Sequence, residues 1–184
     1  YASPAEVRHA TVLKCDIVGS TRLKRGLDLD GQLEFKRGLE TAIHDVATRY
    51  GGYIEKFEGD GALIFFGYPD AREDAAESAV SAGLDIVQVI ASARFVPVRL
   101  QIRVGIASGA LAVIREPLGE KEEPVAGLVI DMAERLRALA EPDQVVTDEE
   151  TKRLAARFFE YEDLGTAKVK GFEVNVALWK RPDA

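Results

Sequence analysis

A chain of 184 residues, 47% of them hydrophobic, has the size of one domain and enough apolar surface for its own core. Its formal net charge of -7 argues against a general affinity for nucleic acid, which needs clustered Lys and Arg to neutralise phosphates. One cysteine, Cys15, and two histidines, His9 and His44, exclude an internal disulfide framework and a four-ligand zinc site, and suit a reducing, cytoplasmic setting. No apolar run approaches the roughly 20 residues that span a bilayer, and the opening residues lack the core of a signal peptide, so no membrane insertion is expected. The chain opens on Tyr1 and not on Met, so it is expected to be a segment of a longer protein.

Residues 10–18, ATVLKCDIV, form an apolar run with Val and Ile and read as a buried first strand ending near Asp16. Gly19-Ser20-Thr21 breaks it. From about residue 29 to residue 50, Leu39, Ile43, Val46 and Tyr50 recur at spacings of four, three and four, which puts them on one helical face; Gly51-Gly52 ends that helix. Two runs rich in aromatic and β-branched residues, 53–57 and 62–66, flank Glu58-Gly59-Asp60-Gly61, and Asp-Gly between such runs predicts a tight hairpin with Asp60 on its turn. Pro69-Asp70 supplies an N-cap signal for a second helix, whose apolar stripe is Ala75, Ala79, Ala82, Ile86 and Ile90 and which ends near Ser92. Residues 98–107 read as a strand closed by Ser108-Gly109, and residues 110–123 as an exposed loop or hairpin arm. A third helix over 128–140 stops at Glu141-Pro142, followed by a short strand at 144–147, a short helix at 148–157 capped by Asp148, and a terminal strand pair over 158–178 around Gly165 and Gly171.

The order β-α-β-β-α-β is the split arrangement of ferredoxin-like folds, an α+β class in which an antiparallel sheet carries both helices on one face. Here an αβαββ extension follows it. In this topology the first and third strands are neighbours, so Asp16 can lie beside Asp60. Two carboxylates brought together repel unless protonated or bridged by a cation, and Mg²⁺ and Mn²⁺ prefer oxygen ligands. A pair of such ions about 3.5–4 Å apart on Asp16 and Asp60 suits in-line displacement at phosphorus. Gly19-Ser20-Thr21 could offer backbone N–H groups to a polyphosphate. Taken alone, Asp60 reads as a plain turn former.

Five segments, VLKCDIVGSTRL, EKFEGDGALIFFGYP with EDAAESAVSAGL, IRVGIASG, AGLVIDMAERLRALA and KVKGF, occur in the order and near the spacing of the catalytic domain of class III nucleotidyl cyclases. The resemblance covers residues 11–178 and is to the bacterial branch, so residues 1–184 are expected to be one cyclase catalytic domain with its core at about 10–179. It implies conversion of ATP or another nucleoside triphosphate to a cyclic nucleotide and pyrophosphate with two Mg²⁺ or Mn²⁺ per site, in a homodimer with shared sites. By the same resemblance Asp16 and Asp60 are the metal-binding aspartates, and Ile17 adds a backbone carbonyl. Arg103 and Lys170 would contact the triphosphate, Lys56 would read adenine and Arg135 would stabilise the transition state. Each also fits a plainer role: Lys56 as a solvated strand residue, Arg103 paired with a surface acid, and Asp131 with Arg135 as an ordinary helix-surface ion pair.

Two positions depart from the family pattern. Asp131 stands where the family holds the ribose with an asparagine, and Pro124 stands where an Asp, Thr or Ser completes base selection, unless Glu122 or Glu123 moves in by a shift of register. Base choice then leans on Lys56, which favours ATP over GTP. The alternatives are a guanylate or pyrimidine cyclase, or a degenerate cyclase domain that binds nucleotide or only dimerises. The Gly-Gly-acid-Glu-Phe signature of diguanylate cyclases is absent.

Overall fold

The computed structural model describes residues 6–115, 122–169 and 172–180. Strand β1 (Glu6–Ile17) leads through the short helix α1 (Ser20–Arg25) into α2 (Leu29–Arg49), and the hairpin of β2 (Tyr53–Glu58) and β3 (Gly61–Phe66) follows. Then come α3 (Ala75–Ala91), β4 (Ile102–Arg115), β5 (Glu122–Ala126), α4 (Leu128–Leu139), β6 (Val145–Thr147), α5 (Glu149–Ala155), β7 (Glu160–Val169) and β8 (Phe172–Lys180). The strands make one sheet in the order β2-β3-β1-β4-β6-β8-β7, with β5 paired to β4 outside that path. The expected α+β fold is present, a ferredoxin-like βαββαβ core followed by α4, β6, α5, β7 and β8.

Local chemistry accounts for the helices. The Asp28 carboxylate accepts a hydrogen bond from the Gly31 N–H at 2.7 Å and caps α2, whose buried stripe is Phe35, Leu39, Ile43 and Val46. Asp148 accepts from the Thr151 N–H at 3.0 Å and caps α5 in the same way. Burial pushes the Asp148 carboxyl up, against those hydrogen bonds. Alternation along β1 divides the core. Leu13, Cys15 and Ile17 pack with α2 and α3, while Ala10 and Val12 face the other way, with Leu63, Phe65 and Leu136. Burial pushes the Cys15 thiol up to about 12, which leaves it protonated and inert.

Three details differ from the sequence reading. The fourth strand starts at Ile102 and runs through Ser108 and Gly109 to Arg115, because the Ser108 hydroxyl finds buried partners in Thr11 and Thr151, each at 2.8 Å. Residues 110–115 therefore belong to a strand, and the hairpin-arm alternative holds, since β5 pairs antiparallel with β4. The residue preceding α3 is Asp74, not Asp70; Arg72 ties this approach down, binding both Asp74 oxygens at 2.9 Å and the Tyr50 carbonyl at 3.0 Å.

The helices of the βαββαβ core share one face as expected, but α4 lies on the opposite face, and the chain returns from it into β6, which runs parallel to β4. Gly105 makes this seat possible. A Cβ there would stand 2.1 Å from the Arg137 backbone N and 2.4 Å from the Ala133 carbonyl O, so the α4 backbone rests directly on β4. No helix among the described residues is long and apolar enough to cross a membrane. Gly105→Ala is expected to destabilise the fold by about 1–3 kcal/mol through overpacking. Gly109→Ala in the same strand, where the added carbon would meet Val129 at an ordinary 3.6 Å, should cost far less. Paired thermal melts check this, and equal losses would mean that α4 is not seated through Gly105.

Candidate active site

Asp16 is the penultimate residue of β1 and is paired on both sides, with Gly61 of β3 and with Arg103 of β4. Asp60 sits on the β2–β3 turn beside it, and the Ile17 N–H donates to the Asp60 carbonyl at 2.9 Å. Gly59 takes a left-handed φ of 56° to make that turn. At Gly61 the demand is space: a Cβ would lie 1.8 Å from the Cys15 carbonyl oxygen. The EGDG run thus brings two carboxylates to one sheet end. A cleft of about 490 Å³ gathers Asp16, Asp60, Ser20, Lys56 and Asp131 with Lys14, Glu58, Glu134 and Arg137.

The cleft is held together by charge. Arg137 Nη1 donates to Asp16 Oδ2 at 2.6 Å, and its other arm binds Glu134. Arg103 Nε stands 3.5 Å from Asp16 Oδ1, and Lys24 Nζ 2.8 Å from Asp60 Oδ2. One layer out, Lys14 Nζ donates to Glu58 Oε2 at 2.7 Å and lies 4.0 Å from Glu134, while Lys56 Nζ is 3.5 Å from Glu58. The Lys14 hydrogen bond and charge hold the Glu58 carboxyl below the usual glutamate range. Burial opposes the charge of Arg137, but Glu134 and Asp16 outweigh it and raise its pKa. Among the described residues, three buried side-chain atoms have no hydrogen-bond partner: Asp16 Oδ1, Arg103 Nε and Arg137 Nε.

A family profile described as adenylate and guanylate cyclase catalytic domain matches residues 3–180. The chain belongs to that family. It is an adenylate and guanylate cyclase catalytic domain. The crystal structure of the adenylyl cyclase CyaB from P. aeruginosa superposes with a TM-score of 0.88 at 26% identity, covering 98% of this chain and 97% of that one. The guanylate cyclase domain of RhGC from Catenaria anguillulae, solved in complex with GTP, shares the fold at a TM-score of 0.87 and 21% identity over 97% of this chain and 100% of that one. A protein of Rhizobium meliloti (strain 1021), the uncharacterized protein R02095, is 33% identical over 95% of this chain. This chain spans only 17% of that relative's length.

Within this cyclase domain, the residues singled out from sequence divide into groups. Asp16, Asp60, Ser20, Lys56 and Asp131 line one cleft, and Arg103 abuts it through Asp16. Gly19 opens α1 with a left-handed φ of 68°, and Thr21 is exposed on the first turn of α1. The Ile17 side chain is buried in the opposite layer, which leaves only its backbone toward the site. Arg135 is exposed on α4, off the stripe of Ile130, Glu134 and Arg137 that faces the cleft, and has no hydrogen-bond or ion-pair partner among the described residues. Lys170 lies outside the described residues, as do the side chains of Glu122, Glu123 and Pro124.

The donor set fits a divalent metal. Asp16 Oδ1 accepts no hydrogen bond among the described residues, and Asp60 lines the same cleft. Among the described residues no group of three or more His, Cys, Asp or Glu could hold an ion. Backbone carbonyl, water and substrate phosphate would have to complete the shell, as Mg²⁺ accepts. Sequence reasoning missed Lys14, Lys24, Glu58, Glu134 and Arg137. The i, i+2 spacing of Lys14 with Asp16 and the i, i+3 spacing of Glu134 with Arg137 were legible, but not that α4 lies over the end of β1.

Because the folded-state pKa of Glu58 is depressed, its pairing stabilises the fold above the usual glutamate range and is lost as pH falls through the folded value. In Lys14→Met the Glu58 carboxyl is expected to titrate higher, followed by its side-chain NMR shift, with a smaller loss of stability on acidification. An unmoved titration would mean that Lys56, not Lys14, provides the hold.

Proposed function

We propose that this domain converts ATP to cyclic AMP and pyrophosphate at two sites shared between two copies of the chain. The observation that carries the reading is the pair of carboxylates, Asp16 and Asp60, on abutting ends of β1 and the β2–β3 hairpin, in a cleft that Lys56 also lines. In the reaction the ribose 3′-hydroxyl oxygen bonds to the α-phosphorus, the bond from that phosphorus to the bridging oxygen breaks, and pyrophosphate leaves. Divalent ions held by Asp16, Asp60 and the Ile17 carbonyl would lower the pKa of the 3′-hydroxyl and neutralise phosphate charge. Arg103 and Lys170 would bind the outer phosphates, with Ser20 and the backbone at Gly19 and Thr21 beside them. Lys56 would accept the adenine ring, and Arg135 would meet charge building on the α-phosphate oxygens.

The position of Arg135 supports a shared site. Arg135 is exposed on α4 and does not line the cleft of its own Asp16 and Asp60, which suits a role in the cleft of a second copy. Exposed apolar residues of α4, Leu128 and Leu139, offer a surface for that copy. Asp131 favours a second reading, a domain that binds nucleotide without turnover. It adds a carboxylate to a cleft that must accept a polyanion.

Each of the four nucleoside triphosphates is supplied with Mn²⁺ and the cyclic products are separated. Cyclic AMP from the native chain, falling to background in Asp60→Ala, is the expected result, with Lys56→Glu shifting preference away from ATP. No cyclic product from any triphosphate, with turnover appearing only in Asp131→Asn, would favour the second reading. Sharing is tested by mixing two inactive variants, Asp60→Ala and Arg135→Ala. Heterodimers carry one intact site and should regain activity, and a mixture as inactive as its components would remove the shared-site arrangement.

A further inference from the structure

The three orphaned polar atoms at Asp16 are of two kinds. Asp16 Oδ1 and Arg103 Nε stand 3.5 Å apart, an ion pair short of a hydrogen bond, and Arg137 Nε is a donor without a hydrogen-bond acceptor among the described residues. Buried polar groups in native proteins are nearly always partnered, so a cluster of three has a cause. A cation suits the Asp16 carboxylate, and an anion suits the guanidinium N–H groups beside it. A metal-bound triphosphate carries both kinds of group.

Arg137 has the means to serve both states. Its guanidinium is 14% exposed, spans Asp16 and Glu134, and presents a fork of N–H donors suited to carboxylate and phosphate alike. The backbone below it is fixed by the contact of α4 with Gly105, so a change of partner needs only rotation of the side chain. Resting on the reading of Asp16 as a metal ligand, we propose that Arg137 exchanges partners. Without metal it is the counter-ion of Asp16; when metal-triphosphate enters, the metal takes Asp16 and Arg137 turns to the phosphate oxygens of the same chain's cleft. Arg137 is then a substrate-binding residue distinct from Arg135, which points elsewhere on α4. The exchange makes free metal a weak ligand, because it must displace a resident cation, and makes the metal-nucleotide complex a strong one.

Mn²⁺ binding to the native chain, Arg137→Gln, Arg137→Lys and Asp16→Asn is measured by electron paramagnetic resonance of the free ion. Measurements are made first without nucleotide and then with 3′-deoxy-ATP, which lacks the attacking hydroxyl. In Arg137→Gln, Mn²⁺ alone is expected to bind about tenfold tighter, the scale on which a neighbouring charge alters a carboxylate. The Mn²⁺-nucleotide complex is expected to bind on the order of tenfold more weakly, as fits the loss of a charge-assisted phosphate contact. Arg137→Lys keeps a cation but loses the fork and should fall between; it carries the test if the Gln variant does not fold. Mn²⁺ affinity that is unchanged or weaker in the Arg137 variants would make the Asp16 contact a structural ion pair and overturn the exchange. Unchanged nucleotide affinity would overturn it equally. Asp16→Asn separates the two readings. Loss of Mn²⁺ binding there, with no effect at Arg137, defeats the exchange alone, whereas Mn²⁺ binding that survives Asp16→Asn defeats the metal site and both proposals with it.

Discussion

Two carboxylates are held together here with no freedom to separate. Asp16 is locked between two antiparallel ladders, the Asp60 carbonyl is tied to the Ile17 N–H, and the bare α-carbon of Gly61 lies against the Cys15 carbonyl. Two carboxylates on neighbouring strand ends repel unless cations stand near. The rest of the cleft answers that demand. Arg137 and Arg103 meet Asp16, and Lys24 meets Asp60. Lys14 takes up Glu58, so that the second layer does not add to the repulsion. The compensation is local and movable, since arginine and lysine side chains can rotate away where strand backbones cannot.

The two faces of the sheet do different work for this cyclase domain. On one, α2, α3 and α5 bury the larger apolar layer with Leu13, Cys15 and Ile17, which fixes β1 and therefore the backbone of Asp16. On the other, α4 covers only part of the sheet and leaves the cleft along its edge. Its close seat on Gly105 brings Glu134 and Arg137 to the carboxylates while Arg135 points outward. One turn of helix thus carries residues of the chain's own cleft and an arginine directed away from it. A helix riding higher on β4, as any side chain at position 105 would force, would lift Arg137 from Asp16.

Much of this was legible from residue order. Spacings of three and four among Leu39, Ile43 and Val46, and the stripe from Ala75 to Ile90, reported helices because a buried face repeats every 3.6 residues. Asp-Gly between apolar runs reported the β2–β3 hairpin, and a βαββαβ order implies that strands one and three adjoin, which brought Asp16 to Asp60 before any coordinates. Such signals are local, or follow from chain order alone. Where a local signal failed, a distant contact had outweighed it: Ser108-Gly109 looked like a strand end, but Thr11 and Thr151 satisfy the Ser108 hydroxyl and the strand continues.

The cations around the carboxylates were hidden for a different reason. Arg137 follows Asp16 by more than a hundred residues, and nothing in the pattern of α4 says on which face of the sheet it packs or how closely. That depends on Gly105 meeting the helix backbone, a coincidence of two surfaces and not a period in either. Lys24 is equally silent, an ordinary basic residue of a short helix until the turn at Asp60 comes to lie beside it. Amino-acid order therefore specified which elements form and which two acids meet. The docking of α4 and α1 chose their counter-ions, because charge pairing across a cleft depends on distances that no spacing along the chain encodes.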